Sequence, residues 1–267
     1  MASNSTGYTI GFSVLVCVIC GIGVASANVV LKERQEVNKQ LDQQKQVLLV
    51  AGLLQPDQEI TPEQVTDLFK KNIRPEVIDL KSGERAKDVK AAGFDQGRAA
   101  KDPATSHQAP DNDAKVMRLP TNALVYHVVK GEKTETIILP IQGYGLWSML
   151  YGYMAVASDA NTIKGITYYQ HAETPGLGGE VDNAKWKARW IGRKIYNDTG
   201  KPEIKVIKGR AGEPAADPYS IDGLSGATIT SNGVSNTMKF WFGDDGFKPF
   251  LKRFKASPVP PPAEGGK

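Results

Sequence analysis

The sequence predicts an α+β protein in which a single N-terminal transmembrane helix precedes a mixed α+β domain. Residues 1–31 contain no Asp, Glu, Lys or Arg, and residues 10–31 are mostly apolar. Such a run is long enough for a membrane-spanning helix, which needs about 20 residues. Four later segments are rich in Val, Ile, Tyr and Thr and are separated by turn residues, as strands of one sheet are. Because helical patterns lie on either side of these segments, strands and helices are segregated rather than alternating.

The N-terminal segment, residues 1–33, is interpreted as an uncleaved membrane anchor. A cleaved signal peptide is the alternative, since residues 25–27 (ASA) are small, but the basic n-region is missing and the apolar run is long. Lys32 and Arg34 directly after the span favour a cytoplasmic C-terminal part, although glutamates are interleaved with them. Charge alone therefore leaves the orientation open.

The two cysteines of the chain, Cys17 and Cys20, both lie inside this anchor. A metal or redox site would need further ligands nearby, and none is present in the sequence around them. We interpret both as apolar packing residues of the membrane helix.

Residues 34–120 are predicted to form a helical and polar connecting region. The periodic leucines and valines of residues 32–54 continue the first helix outward, and Thr61 followed by Pro62 marks the start of another helix. Residues 81–117 are poor in apolar side chains, which predicts an exposed connection or insertion.

Residues 121–256 are predicted to form the folded domain, and residues 257–267 (SPVPPPAEGGK) a disordered tail. Within the domain we expect strands at 123–129, 135–141, 153–158, 162–170 and 203–207, and helices at 184–196 and 231–242.

Composition excludes some classes of function. The formal net charge is +4, from 33 basic and 29 acidic residues, without a long basic run or a nucleic-acid motif, so nucleic acid is not an expected partner. A G-x-G-x-x-G phosphate loop fails at Gly143 and Gly145, because Ser148 occupies the third glycine position, and no Walker motif occurs.

Three glycine-rich segments could carry a binding site: GYGLW (143–147), HAETPGLGGE (171–180) and DGLSGATITS (222–231). His171 and Glu173 would project from the same face of a strand end, but two ligands are too few for a metal site. A simple Gly/Pro turn between a strand and a helix is the alternative for this segment.

Two of these segments present apolar side chains directly beside glycines. Leu177 stands between Gly176 and Gly178, and Leu146 and Trp147 follow two glycines. Glycine allows the backbone and one aliphatic group to approach a flat ligand closely.

The SGAT sequence at residues 225–228 admits two interpretations. Ser225 or Thr228 could cap a helix, with Gly226 providing the turn. A nucleophilic role would need a neighbouring base, and no such arrangement is evident. If Thr228 is chemically special, it is better interpreted as the acceptor of a modification, because Gly226 and Ala227 leave its backbone bare and a hydroxyl can form a phosphoester.

The segment from Asp222 to Thr228, DGLSGAT, matches the pattern D-x-x-S/T-G-A-T at which a flavin transferase links FMN through its phosphate to the final threonine. HAETPGLGG resembles the flavin-contact loop of the same FMN-binding domain family. With its anchor and helical stretch, the chain resembles the C subunits of sodium-translocating NADH:quinone oxidoreductases over nearly its whole length. The G subunits of Rnf electron-transport complexes share this domain.

The resemblance implies a covalent FMN on Thr228, and the ligand count given above predicts no metal site. The other cofactor-binding residues that it implies are Asp222, Ser225, Gly226, Ala227, Leu146, Trp147, His171, Glu173, Thr174, Gly176, Leu177 and Gly178. The FMN would relay electrons from NADH toward ubiquinone, coupled to Na⁺ export, although this chain alone should not oxidise NADH. The implied partners are the other subunits of the complex, a flavin transferase and the bacterial inner membrane, with the flavin domain on the periplasmic side.

Two alternatives stay open from the sequence. One is the Rnf G subunit. The HAETPGLGGE form and the long N-terminal region favour the sodium pump over this alternative. The other is a non-redox, membrane-tethered periplasmic binding or scaffold domain, in which SGAT is only a helix cap.

Overall fold

The protein was analysed as a computed structural model that describes residues 5–261. Its helices are α1 (Thr6–Val50), α2 (Pro62–Asn72), α3 (Gln96–Lys101), α4 (Ala184–Ala188), α5 (Thr228–Trp241) and α6 (Lys248–Ala256), with a 3-10 helix at Gly178–Asp182. Its strands are β1 (Ile73–Asp79), β2 (Ser106–Gln108), β3 (Arg118–Pro120), β4 (Asn122–Lys130), β5 (Lys133–Tyr144), β6 (Met149–Ala157), β7 (Ile163–Gln170), β8 (Lys205–Val206) and β9 (Ser220–Ile221). The α+β class and the N-terminal helix are confirmed.

The chain divides into two compact units, Met1–Gln44 and Lys45–Lys267. The first unit contains most of α1, which by length and composition is the one helix of residues 5–261 able to cross a membrane. The apolar side chains of this part are exposed, as those of a lipid-facing helix would be.

The second unit contains a five-stranded antiparallel sheet in the order β1-β4-β5-β6-β7. Its four consecutive strands, β4 to β7, follow the β-branched and aromatic runs that predicted them. Strand β1 lies within residues 34–120, where only helical and polar structure was expected. It runs beside β4 with Ile73 opposite Val128, and its Pro75 is tolerated because β1 is an edge strand.

The compact unit therefore begins at Lys45 rather than at residue 121. The sequence placed a boundary at 120 because residues 81–117 are polar, yet Ala114 and Val116 of this stretch are buried in the core. The short strands β2 and β3, which pair with each other, also lie between β1 and β4.

Each face of the sheet is covered. One face packs on α5, α6 and the segment after β7, where the largest fully buried side chains include Trp190, Trp241 and Phe247. The other face meets the end of α1, where the Thr167 hydroxyl lies 3.4 Å from Gln46 Oε1, and α2, where Phe69 contacts Tyr126 edge to face.

Helix α2 begins as predicted. Thr61 is its N-cap, Pro62 is its first residue, and a capping box pairs the Thr61 and Gln64 side chains with each other's backbone N–H.

Helix α5 starts at Thr228, three residues earlier than the predicted start at Ser231. It packs tightly against β5: a Cβ atom added to Gly233 would lie 2.2 Å from the carbonyl oxygen of Tyr144, so only glycine permits this approach. Trp241 at its other end donates an indole N–H to the Gln142 carbonyl at 2.6 Å.

Several other predicted elements differ in length. The helix expected over 184–196 ends at Ala188, and Gly192 lies in the left-handed region with φ +83°. The strand expected over 203–207 is reduced to the two residues of β8, which pairs in parallel with β9. Helix α6 was not predicted; its Phe250, Leu251 and Phe254 are buried. Residues 257–261 have no regular structure, and the rest of the predicted tail lies outside the described residues.

Candidate functional site

The three glycine-rich segments meet around one buried carboxylate, that of Glu173, which is 5% exposed. Its Oε1 accepts hydrogen bonds from the backbone N–H of Trp147 at 2.9 Å, Leu146 at 3.1 Å and Ser148 at 3.2 Å. Its Oε2 accepts the Thr230 hydroxyl at 2.6 Å. One side chain thus joins the turn after β5, the loop after β7 and the first turn of α5.

These contacts set the charge of Glu173. Burial raises the pKa of its carboxyl, but the hydrogen bonds from Thr230 and from the backbone of residues 146–148 outweigh burial and hold the pKa below its ordinary value of 4.5. The side chain is therefore an anion at neutral pH, with protein donors on both oxygens.

His171 is also engaged within its own loop. Its Nε2 lies 2.7 Å from Asp182 Oδ2, and its Nδ1 accepts the backbone N–H of Glu173 at 3.2 Å. The Thr174 carbonyl accepts the N–H groups of Leu177 at 3.1 Å and Gly179 at 3.0 Å. The loop is closed on itself and projects Leu177 outward.

Exposed apolar side chains border this cluster. Trp147 is 65% exposed, Leu177 43% and Leu146 37%. Leu177 lies against Gly226, which has φ +70°: a Cβ atom added there would be 2.9 Å from Leu177 Cδ2. The HAETPGLGGE loop therefore touches the SGAT turn.

Two exposed apolar residues at this site were missed by the sequence analysis. Tyr144 is 40% exposed, and its hydroxyl donates to the Trp147 carbonyl at 3.2 Å. Ile229 is 57% exposed and directly follows Thr228. The position of Tyr144 within GYGLW and the adjacency of Ile229 to Thr228 were the available signals.

Thr228 is the first residue of α5 and is exposed. Among the described residues its hydroxyl has no hydrogen-bond partner, and neither does that of Ser225. The N-cap is Ala227, which has no side chain that could accept a hydrogen bond. The interpretation of Ser225 or Thr228 as a helix cap is therefore wrong, and the first-turn N–H groups of α5 are left without a side-chain cap.

Asp222 lies at the start of the same turn, and its polar groups bond to other parts of the protein. Its Oδ1 accepts the backbone N–H of Ala211 at 2.9 Å, its Oδ2 lies 3.6 Å from Arg189 Nε, and its carbonyl accepts the Trp186 indole N–H at 2.8 Å. Asp222 fixes the backbone from which Ser225 to Thr228 extend.

The arrangement suits a ligand that combines a phosphate with a flat ring. A free hydroxyl stands at a helix start, where the backbone N–H groups and the helix dipole favour an anion. The exposed apolar side chains Leu146, Trp147 and Leu177 lie on two segments that share Glu173, and they could offer an apolar contact surface for a ring. Within residues 5–261, no cluster of three His, Cys, Asp or Glu side chains could hold a metal ion.

Comparison with known proteins agrees with this geometry. Residues 145–243 match the FMN-binding domain family, a range that includes HAETPGLGGE, DGLSGATITS and the last three residues of GYGLW. A relative from Yersinia pestis, named as the C subunit of a Na(+)-translocating NADH-quinone reductase, is 44% identical over 256 residues, covering 95% of this chain and 94% of the relative. Relatives of the same name from Vibrio vulnificus (strain YJ016) and Pseudomonas aeruginosa are 45% and 43% identical, over 96% and 94% of this chain and 98% and 97% of their own lengths.

Solved structures give the same result. The crystal structure of Shewanella oneidensis NqrC aligns with a TM-score of 0.75 and 37% identity, covering 82% of this chain and all of that one. The crystal structure of the corresponding C subunit from Parabacteroides distasonis aligns with a TM-score of 0.62 and 25% identity, covering 83% of this chain and 96% of that one. The chain therefore belongs to the family of C subunits of the Na(+)-translocating NADH-quinone reductases.

Proposed function

We propose that this chain is the component of a Na⁺-translocating NADH-quinone reductase that carries a covalent FMN, linked through its phosphate to Thr228. In this role it relays electrons from NADH toward ubiquinone, coupled to Na⁺ export. The observation that carries the proposal is the exposed, unpartnered hydroxyl of Thr228 at a helix start without a side-chain cap, beside exposed apolar side chains.

Attachment is a phosphoryl transfer to Thr228. A bond forms between Thr228 Oγ1 and the flavin-bearing phosphorus of a flavin dinucleotide, the diphosphate bond breaks, and a nucleoside monophosphate leaves. The proton of the Thr228 hydroxyl passes to a base of the flavin transferase, since the described part of this chain places none beside Thr228. The phosphoester keeps a negative charge, which the N-terminal amides of α5 favour.

The apolar side chains would hold the ring, with Leu146 and Trp147 on one segment and Leu177 on the other. Glu173 lies on the segment that carries Leu177 and holds the segment that carries Leu146 and Trp147. Both of its carboxylate oxygens already accept hydrogen bonds from protein donors. Bound FMN supplies reversible uptake and release of electrons, while the chain supplies position and electrostatics.

We further propose that α1 anchors the chain once in a bacterial inner membrane and that the flavin domain is periplasmic, beside the other subunits of the complex. The names of the relatives support the assembly. Lys32 and Arg34 favour the opposite orientation, but a short flank of mixed charge is a weak determinant.

The test is in-gel ultraviolet fluorescence of the denatured full-length protein after co-expression with a flavin transferase. The wild type should fluoresce and gain the mass of FMN less one water, and Thr228→Ala should lose both signals. Thr199→Ala, which removes an exposed hydroxyl in another loop, is the matched control and should retain them.

Absence of fluorescence from the wild type, with a transferase that modifies a known target, would contradict the proposal. The chain would then be a membrane-tethered domain without a redox role. Fluorescence that persists in Thr228→Ala would place the attachment elsewhere.

A further inference from the structure

One segment of the second unit holds an excess of positive charge. Residues 184–210 contain nine Lys and Arg and two Asp and Glu, a net charge of +7. The other residues contain 24 basic and 27 acidic side chains, a net charge of −3. The positive charge of the chain is therefore concentrated in 27 residues.

Most of these cations are free to meet a partner. Lys185, Lys194, Lys201, Lys208 and Arg210 are exposed and form no ion pair with the described residues. The contrasting case in the segment is Arg193, which is 2% exposed and donates to backbone carbonyls, among them that of Gly212 at 2.7 Å.

The segment forms hydrogen bonds with the first two residues of the DGLSGAT motif. The Gly223 N–H donates to the Gly209 carbonyl at 2.8 Å, between Lys208 and Arg210. At the preceding residue of the motif, Trp186, next to Lys185, donates its indole N–H to the Asp222 carbonyl at 2.8 Å. Cations from two parts of the chain therefore border the end of the motif opposite to Leu177, which lies against Gly226.

This position determines which protein would meet the cations. An enzyme that modifies Thr228 must place its active site over residues 222–228 and so contacts the backbone beside Asp222. A partner that only exchanges electrons with a flavin ring needs access to the apolar side, at Leu146, Trp147 and Leu177. Exposed unpaired cations beside the motif fit an anionic surface on the modifying enzyme.

We propose that the basic surface of residues 184–210 is a docking surface for an acidic face of the enzyme that attaches the flavin to Thr228. The proposal rests on the proposed function. Long-range attraction between the two surfaces would speed encounter and orient the motif, and salt would screen it.

The flavin donor is also anionic, because it carries a diphosphate. The same cations could therefore bind the donor instead of the enzyme. The two sources differ in kinetics: docking changes the dependence of the rate on the concentration of this chain, whereas donor binding changes its dependence on the donor.

The experiment measures initial rates of flavin attachment to the purified full-length chain in detergent, with a flavin transferase and flavin adenine dinucleotide. The test variant carries Lys185→Glu, Lys208→Glu and Arg210→Glu. The control variant carries Lys101→Glu, Lys252→Glu and Lys255→Glu, which are exposed cations elsewhere and give the same change in net charge. Thermal unfolding of all three proteins checks that each is folded.

We expect kcat/KM for the protein substrate to fall about tenfold in the test variant and less than about twofold in the control. Added salt should slow the wild type toward the rate of the test variant. Equal rates for test and control variants, or a wild-type rate insensitive to salt, would overturn the docking surface.

A change confined to the KM for the donor would also overturn it, in favour of donor binding. Failure of the wild type to accept flavin under any condition would instead contradict the attachment at Thr228 on which the inference rests. The two failures are distinguished by the wild-type rate.

Discussion

Glu173 and Glu76 are buried to nearly the same extent, 5% and 6% exposed, but their carboxylates are held by different partners. Glu173 accepts three backbone N–H groups and a hydroxyl, from segments distant in sequence. Glu76 lies 2.8 Å from His127 Nε2 and 3.9 Å from Arg253 Nη2. A buried carboxylate organises loops in the first case and fastens a helix to the sheet in the second.

The difference follows from what each partner can do. Backbone N–H groups fix the conformation of the turn at residues 146–148, so Glu173 determines where Leu146 and Trp147 stand. The partners of Glu76 are side chains, so they do not fix the conformation of the backbone around them. Arg253 also donates to the Gly83 carbonyl at 2.6 Å and so connects α6 to the turn after β1. We therefore expect Glu173 to govern the site and Glu76 to govern only stability.

The largest effect should separate the two glutamates directly. Glu173→Ala leaves several buried donors without an acceptor and should lower the free energy of unfolding by about 3 kcal/mol. Flavin attachment to the folded protein should slow about tenfold, because the apolar turn is released. Urea unfolding and in-gel fluorescence measure the two quantities.

Glu76→Ala should destabilise by a similar amount, about 2–3 kcal/mol, because His127 loses a buried partner. Its flavin attachment, normalised to the folded fraction, should equal that of the wild type. If Glu173→Ala and Glu76→Ala slow flavin attachment equally, Glu173 has no special role at the site.

A steric variant tests the same cluster without removing its charge. A Cβ atom added to Gly178 would lie 2.5 Å from Glu173 Oε2 and 2.6 Å from Thr230 Oγ1. Gly178→Ala should cost about 2 kcal/mol and slow attachment. Gly176→Ala is the control, since its φ of +75° brings strain of about 1 kcal/mol while no atom lies within 4 Å of the added Cβ.

The pH dependence of stability gives a smaller effect. Since the folded-state pKa of Glu173 is lowered, its ionised form stabilises the fold above the unfolded-state pKa, and that contribution is lost as pH falls through the folded-state pKa. The difference in unfolding free energy between wild type and Glu173→Gln, about 1–2 kcal/mol at pH 7, should narrow as the pH falls below the ordinary pKa of 4.5. Urea unfolding at each pH measures this difference. If it stays constant from pH 7 to acidic pH, the ionised carboxylate of Glu173 does not contribute to stability.

The smallest effect belongs to the outer member of the Glu76 cluster. The Arg253 side chain is 43% exposed, so its ion pair is screened by solvent. Arg253→Met should lower the unfolding free energy by about 1 kcal/mol or less and leave flavin attachment unchanged. A loss as large as that of Glu76→Ala would contradict this ranking and would mean that the contacts of Arg253 with Glu76 and with the Gly83 carbonyl together contribute more than its exposure indicates.

The sequence predicted the parts that depend on local pattern. Strands β4 to β7 follow from runs of β-branched and aromatic residues, and α2 from Thr61 as its N-cap and Pro62 as its first residue. Strand β1 was missed because Arg74, Pro75 and Glu76 interrupt its apolar pattern. The partners of the buried Glu76 carboxylate are also distant in sequence, since His127 lies 51 residues away and Arg253 lies in α6.

The same limit applies to the site. Its three segments and Thr228 were identified from glycine spacing and motif, but the hydrogen bonds of Glu173 to residues 146–148 and to Thr230 join parts of the chain that no local pattern connects. The prediction that Ser225 or Thr228 caps the helix was wrong because α5 begins at Thr228, so that Ala227 is the N-cap. The backbone dihedral angles determine this start, and the sequence pattern does not show them.

The close approach at Gly233 has a mechanical consequence. Because α5 lies on the backbone of β5 without an intervening side chain, the helix that begins with Thr228 and the turn that carries Leu146 and Trp147 have no room to slide past each other. A group attached to Thr228 would therefore have its point of attachment held at a fixed separation from the turn that carries Leu146 and Trp147, and only the bonds of the group itself could move it toward or away from that turn.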